Sequence, residues 1–176
     1  MYKMNNREKV IKKLFEKPTY YFHLRELARD IKIHPNTLMI ILDSLKKDKI
    51  VIKVKKKHLV EIRLNLENPK VIQERKVNNL GQIYSSGLVD YLKHEYSPDA
   101  IVLIGSYSRG EDIEDSDIDL VIFSVNKRHK DLRKFEKRLN RKIHILLPSK
   151  RDVTPEFFNN LINGIVLWGV IRNDAF

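Results

Sequence analysis

The run Ala100-Ile101-Val102-Leu103-Ile104 is continuously apolar and rich in β-branched residues, and it stops at Gly105. Such a run reads as a buried strand, and its break falls at a residue where backbone can approach a ligand closely. A Gly105-Ser106 turn opening a short helix leaves several N–H groups unpaired and pointing one way, a cluster that attracts phosphate. A second strand is expected over Asp117 to Phe123, with Asp117, Asp119 and Val121 on one face and Ile118, Leu120 and Ile122 on the other. Residues two apart on a strand share a face, so the two carboxylates point together. Like charges that close repel unless a cation lies between them, and hard oxygen ligands suit Mg²⁺ or Mn²⁺, with water and phosphate oxygens completing the shell.

Each half also has an ordinary reading: Gly105-Ser106 as a plain strand-to-helix turn, and Glu111, Asp112, Glu114 and Asp115 as a solvated acidic loop. The order strand, Gly-Ser, ten intervening residues and Asp-x-Asp on a strand is far more specific than either half. Gly105-Ser106, Arg109-Gly110 and Ser116-Asp117-Ile118-Asp119-Leu120 resemble the signature of the minimal nucleotidyltransferases of the polymerase β superfamily. The resemblance covers roughly residues 80 to 170 and includes a closing segment, Asn163-Gly164-Ile165-Val166-Leu167-Trp168-Gly169, similar to that family's last strand.

The resemblance implies a small α/β fold with a mixed sheet, in which Gly105, Ser106, Arg109 and Gly110 form the nucleotide-binding turn and Asp117 and Asp119 are metal ligands. Members of the family transfer a nucleoside monophosphate, commonly AMP from ATP, to a hydroxyl. Some act on a toxin-like helical protein encoded beside them, so a protein acceptor is among the implied partners. The family's third carboxylate belongs on the following strand, here Lys142 to Leu147, and that position holds His144. An imidazole can ligate a metal or act as a general base, but it supplies no negative charge. Asp117, Asp119 and His144 are therefore the catalytic candidates, with turnover open. The alternative is a DNA-binding regulator whose nucleotidyltransferase-like domain has lost its chemistry and serves nucleotide sensing or assembly. The residues also allow His144 to be merely a polar residue on the open face of its strand.

Charge is concentrated at the other end. Residues 1–67 carry 17 Lys and Arg against 8 Asp and Glu, a net +9 of the chain's +11. That is the electrostatic footprint of a polyanion binder. Helices are expected over Asn6–Glu16, about His23–Ile31 and Pro35 to about Lys47, followed by strands Ile50–Lys55 and Leu59–Leu64 around the tip Lys55-Lys56-Lys57-His58. Three helices and a basic hairpin in that order resemble a winged helix-turn-helix domain. In such a domain the third helix enters the major groove and the hairpin touches backbone. His34, Asn36, Thr37 and Met39 are then the base-reading candidates, and Lys53, Lys55, Lys56, Lys57 and Arg63 the phosphate contacts on double-stranded DNA. A hairpin that mediates only protein contacts has the same residues.

The expected fold class is α+β: a winged helix-turn-helix domain over 1–67, a helical connector over 68–96, and a nucleotidyltransferase-like domain over 97–176 whose first helix lies at about 83–96. Helices are expected at Val71–Leu80 and Ile83–Tyr96 with a break near Gly81, at Lys130–Asn140, and from Pro155 with Thr154 as cap. Trp168 is expected to fill core in the last strand. The absence of cysteine excludes disulfides, thiolate metal sites and a cysteine nucleophile. Apolar runs below ten residues and an N-terminus without an apolar signal region predict a cytoplasmic protein with no membrane partner. Two half-sites on DNA would ask for a homodimer.

Overall fold

The computed structural model describes residues 4–56, 59–149 and 154–172. The chain divides into two compact units, Met1–Ile72 and Gln73–Phe176.

In the first unit, helix α1 (Asn6–Glu16) begins at a capping box. The Asn5 side chain accepts from the Glu8 N–H at 2.9 Å, and the Glu8 carboxylate accepts from the Asn5 N–H at 3.0 Å, so two otherwise orphaned donors are satisfied. Helices α2 (Leu24–Asp30) and α3 (Pro35–Lys47) follow, the latter opening on a proline where no intrahelical N–H is needed. Strands β1 (Phe22–His23), β2 (Val51–Lys56) and β3 (Leu59–Leu64) make an antiparallel sheet in the order β1-β3-β2. Val10, Leu14, Leu27, Leu38, Leu42, Leu45 and Ile62 are fully buried where the helices meet that sheet. Each such side chain contributes about 1.5–3 kcal/mol relative to exposure. Lys57 and His58 lie outside the described residues.

The second unit is built on a four-stranded mixed sheet. Helix α4 (Pro69–Ser86) crosses the division between the units, followed by α5 (Leu88–Tyr96), β4 (Ala100–Ile104), α6 (Gly105–Arg109), β5 (Ile118–Phe123), α7 (Arg133–Leu139), β6 (Ile143–Leu146), α8 (Pro155–Ile162) and β7 (Ile165–Gly169). The strand order is β6-β5-β4-β7, with β4 antiparallel to both β5 and β7, and β5 parallel to β6. Every residue of β4 is buried because the sheet is covered on both faces. Ile101, Leu103, Ile118, Leu120 and Ile122 pack with Leu88 and Leu92 of α5 and Phe135 of α7. Ala100, Val102, Ile104, Val121 and Phe123 pack on the other face with Leu161 of α8.

Three local expectations are corrected. Helix α4 runs through Gly81 and ends before Gly87, whose φ of +79° is the left-handed conformation that glycine adopts without strain. An isolated glycine inside a helix costs only about 1 kcal/mol, less than the packing of Ile83 against the sheet returns. Strand β5 starts at Ile118, so Asp117 stands in the loop before it. Trp168 is 45% exposed, with the Lys93 ammonium 3.8 Å from its ring centroid, so the indole shields a cation instead of filling core. No helix among the described residues is long and apolar enough to cross a membrane.

Candidate active site

Register brings the site together. The antiparallel β4-β5 pair sets Ile104 opposite Asp119, and the parallel β5-β6 pair sets Asp119 beside His144. Along β5, Ile118, Leu120 and Ile122 enter one core while Val121 and Phe123 enter the other, so the alternation puts Asp119 on the α8 face of the sheet. The Nδ1 of His144 lies 3.4 Å from Oδ1 of Asp119, with side chains 61% and 33% exposed. The contact is an ion pair only when the imidazole is protonated.

Directly after Ile104 the chain turns at Gly105 with φ +73°. A Cβ built on Gly105 would stand 2.6 Å from Oδ2 of Asp119, so the carboxylate occupies the space that any larger residue would fill. Backbone conformation and close approach both require glycine here. Helix α6 then runs only to Arg109 and closes at Gly110, φ +76°. The Ser108 hydroxyl donates to the Gly105 carbonyl at 2.7 Å, and the Ser106 carbonyl accepts from the Glu111 N–H at 3.0 Å. Arg109 is exposed and its Nε donates to Glu111 at 2.7 Å.

Asp117 is exposed in the loop and lines an open cleft of about 440 Å³ together with Asp115, Ser116, Lys137 and Lys142. The structure thus joins Gly105, Asp119 and His144 closely and leaves Asp117 at the rim. Among the described residues no group of three or more His, Asp or Glu side chains is placed to enclose a metal ion. The carboxylate held against the Gly105 turn nevertheless fits an ion of the Mg²⁺ type. Such an ion keeps several waters and is usually bound by one or two carboxylates plus substrate phosphates, without a dedicated protein cage. Asp119 and Asp117 are the side chains that would hold it, with His144 beside them.

The loop carrying Asp117 is fixed by a buried cluster that sequence reading does not find. Asp112 is 2% exposed where a solvated residue was the ordinary reading. Its Oδ1 receives Arg75 Nη2 at 3.0 Å and Asn79 Nδ2 at 2.7 Å, and its Oδ2 receives Arg141 Nη2 at 3.1 Å. Arg75 also donates to the Asp112 carbonyl, and Arg141 Nη1 to the carbonyls of Ile113 and Glu114. Burial pulls the Arg75 guanidinium below its ordinary basicity, and the Asp112 charge opposes that shift. Burial first, and then the same carboxylate, push the neighbouring Tyr107 phenol up. Only the spacing of Arg75 and Asn79, one helical turn apart on α4, gives a sequence hint of a polar helix face.

In the first unit, the residues expected to meet DNA are placed unevenly. Asn36 and Thr37 are exposed on the opening turn of α3, whereas His34 is its N-cap, with Nδ1 accepting from the Asn36 N–H at 3.3 Å. Met39 is half-buried, its sulfur 3.4 Å from Lys53 Nζ. Lys53 is turned onto α3, where Asp43 meets its ammonium at 2.6 Å. Lys55 is exposed, and Arg63 is half-buried with its guanidinium 5.9 Å from the Tyr21 ring centroid. Lys56 ends β2, and Lys57 lies outside the described residues.

Residues 85–170 match the nucleotidyltransferase domain family. A chain from Methanocaldococcus jannaschii, named "Putative protein adenylyltransferase", is 32% identical over 107 residues, which cover 54% of the present chain and 70% of that protein. No solved structure matches significantly. The matched segment holds the Gly105 turn, the Asp119 carboxylate and the sheet that joins them, and by that match the chain belongs to the nucleotidyltransferase domain family.

Proposed function

We propose that the second unit binds a nucleoside triphosphate, ATP before the others, with Mg²⁺ or Mn²⁺, and transfers its nucleoside monophosphate to a hydroxyl on a protein acceptor. The observation that carries this reading is the register that sets Asp119 against the Gly105 turn, in a segment matching the family. The backbone N–H groups that open α6 face the phosphates, and Arg109 exchanges Glu111 for a phosphate oxygen. A divalent ion held at Asp119 and Asp117 would neutralise charge on the phosphates and orient them. His144 accepts the proton of the acceptor hydroxyl, whose oxygen attacks the α-phosphorus as pyrophosphate leaves. A protein acceptor is supported by the name of the Methanocaldococcus jannaschii relative.

The first unit, in this reading, is a winged helix-turn-helix that binds double-stranded DNA. Its support is the order of three helices and a β-hairpin on one small sheet, together with the net +9 carried by residues 1–67. His144 favours a second reading of the whole: beside Asp119, an imidazole supplies no negative charge, and a site with two carboxylates would hold nucleotide without turning it over. The chain would then be a regulator whose DNA affinity responds to ATP.

Calorimetric titration with ATP, with and without Mg²⁺, on the wild type and on Asp117→Asn/Asp119→Asn tests the nucleotide site. Metal-dependent binding that disappears in the double variant is expected, and pyrophosphate release with an added protein acceptor separates the two readings. Equal binding in both proteins would overturn the assignment of the site.

A further inference from the structure

We infer that the exposed face of α3 reads A·T base pairs in the DNA major groove, with Ile40 against a thymine methyl. This rests on the DNA-binding reading of the first unit and gives it a sequence preference. Helix α3 buries Leu38, Leu42 and Leu45, and its opposite stripe, at three- and four-residue spacing, is Asn36, Thr37, Ile40, Asp43, Ser44 and, at its last residue, Lys47. Ile40 is 73% exposed at the middle of that stripe, next to no other large apolar side chain of the helix at such exposure.

Past Ile40, Asp43 and Ser44 are already engaged, and Lys47 closes the stripe exposed, placed for a phosphate. Asp43 holds Lys53 at 2.6 Å, and the Ser44 hydroxyl accepts from Arg7 at 3.1 Å. The near half, Asn36, Thr37 and Ile40, is exposed or solvent-facing and carries no Lys or Arg, the side chains that read guanine best. Each of the three has A·T chemistry. Asn offers the donor and acceptor that match adenine N6 and N7, and Thr and Ile offer methyl groups to the thymine C5-methyl. From Asn36 to Ile40 the helix rises about 6 Å, close to two base pairs at about 3.4 Å each. The net +9 on residues 1–67 complements a polyanion, which is the occupant proposed for this face.

The test uses the full chain and a pool of randomised duplex DNA at about 0.15 M salt, followed by fluorescence anisotropy on the enriched duplexes. These should share two adjacent A·T pairs. Replacing their thymines by deoxyuridine, which removes only the methyl group, should weaken binding about fourfold per contacted methyl. Ile40→Ala should bind the thymine and deoxyuridine duplexes alike while its circular dichroism stays that of the wild type. Saturable DNA binding with no A·T enrichment, or with no response to deoxyuridine, overturns the assignment of Ile40 and leaves DNA binding standing. No saturable binding to any duplex overturns both.

Discussion

Replacing Asp112 by Ala should be among the most damaging single substitutions in the second unit, although the residue touches no proposed ligand. The carboxylate is the counter-charge for two guanidiniums, Arg75 at 1% and Arg141 at 8% side-chain exposure, and it accepts from Asn79 as well. Truncation would leave two like charges facing each other, Arg75 buried and Arg141 at the edge of the cleft. Removing one partner of a buried pair costs about 3–5 kcal/mol, against a total of about 5–15 kcal/mol for a domain. At a urea dependence of about 2 kcal/mol/M, a loss of about 4 kcal/mol lowers the midpoint by about 2 M. The chain has a single tryptophan, Trp168 in β7, so its fluorescence reports the second unit alone during urea unfolding of the full chain. Asp112→Asn, which keeps an acceptor for Asn79 and loses the charge, should fall between Ala and wild type. A midpoint change below about 0.5 M for Asp112→Ala would refute the reasoning, since it would mean that water or relaxation replaces the carboxylate at no cost. ATP affinity should fall with stability, because Arg141 ties the Ile113 and Glu114 carbonyls of the loop that leads to Asp117.

Two further perturbations probe different terms. Gly105→Ala meets both a φ of +73° and the Asp119 carboxylate 2.6 Å from its Cβ. It should lower stability by about 1–3 kcal/mol in thermal unfolding and weaken ATP binding at least about tenfold by calorimetry, and an unchanged affinity would count against phosphate approach at this turn. Asp131 accepts from the Arg133 guanidinium and from its N–H, and these hold its carboxyl down at about 2, below the ordinary 3.8. A depressed folded value means that its contribution is present above the unfolded value and is lost as pH falls through about 2. A carboxyl ¹³C titration should find that midpoint, moved upward by salt, and a midpoint at the ordinary value would show the pair to be absent in solution.

Residues with one strong local preference were readable and residues decided by distant partners were not. The prolines opening α3 and α8 mark helix starts in sequence, and the observed helices begin there. The all-apolar β4 and the alternating β5 were likewise legible as strands. Gly81 and Gly87 carry the same letter with opposite outcomes, because only Gly87 needs a positive φ. Lys53 reads as a phosphate contact until Asp43, ten residues away, is found holding it. Asp112 reads as loop because its partners lie 37 and 29 residues distant in the chain. Trp168 reads as core because its cation partner, Lys93, belongs to a different element. For the candidate site, the turn at Gly105 and the strand position of Asp119 were legible, whereas the position of Asp117 outside the strand depends on where pairing with β4 and β6 begins.

The sheet gives the site's members unequal freedom to open. Gly105 and Asp119 hang from β4 and β5, the two central strands, whose backbone amides are released only when most of the unit comes apart. His144 belongs to β6, a four-residue strand that among the described residues is paired on one side alone, and such an edge opens locally at lower cost than a central strand. The part of the site proposed to face phosphate is therefore built into the least yielding layer of the fold. The group proposed to take the acceptor's proton rides on the edge, where opening costs least.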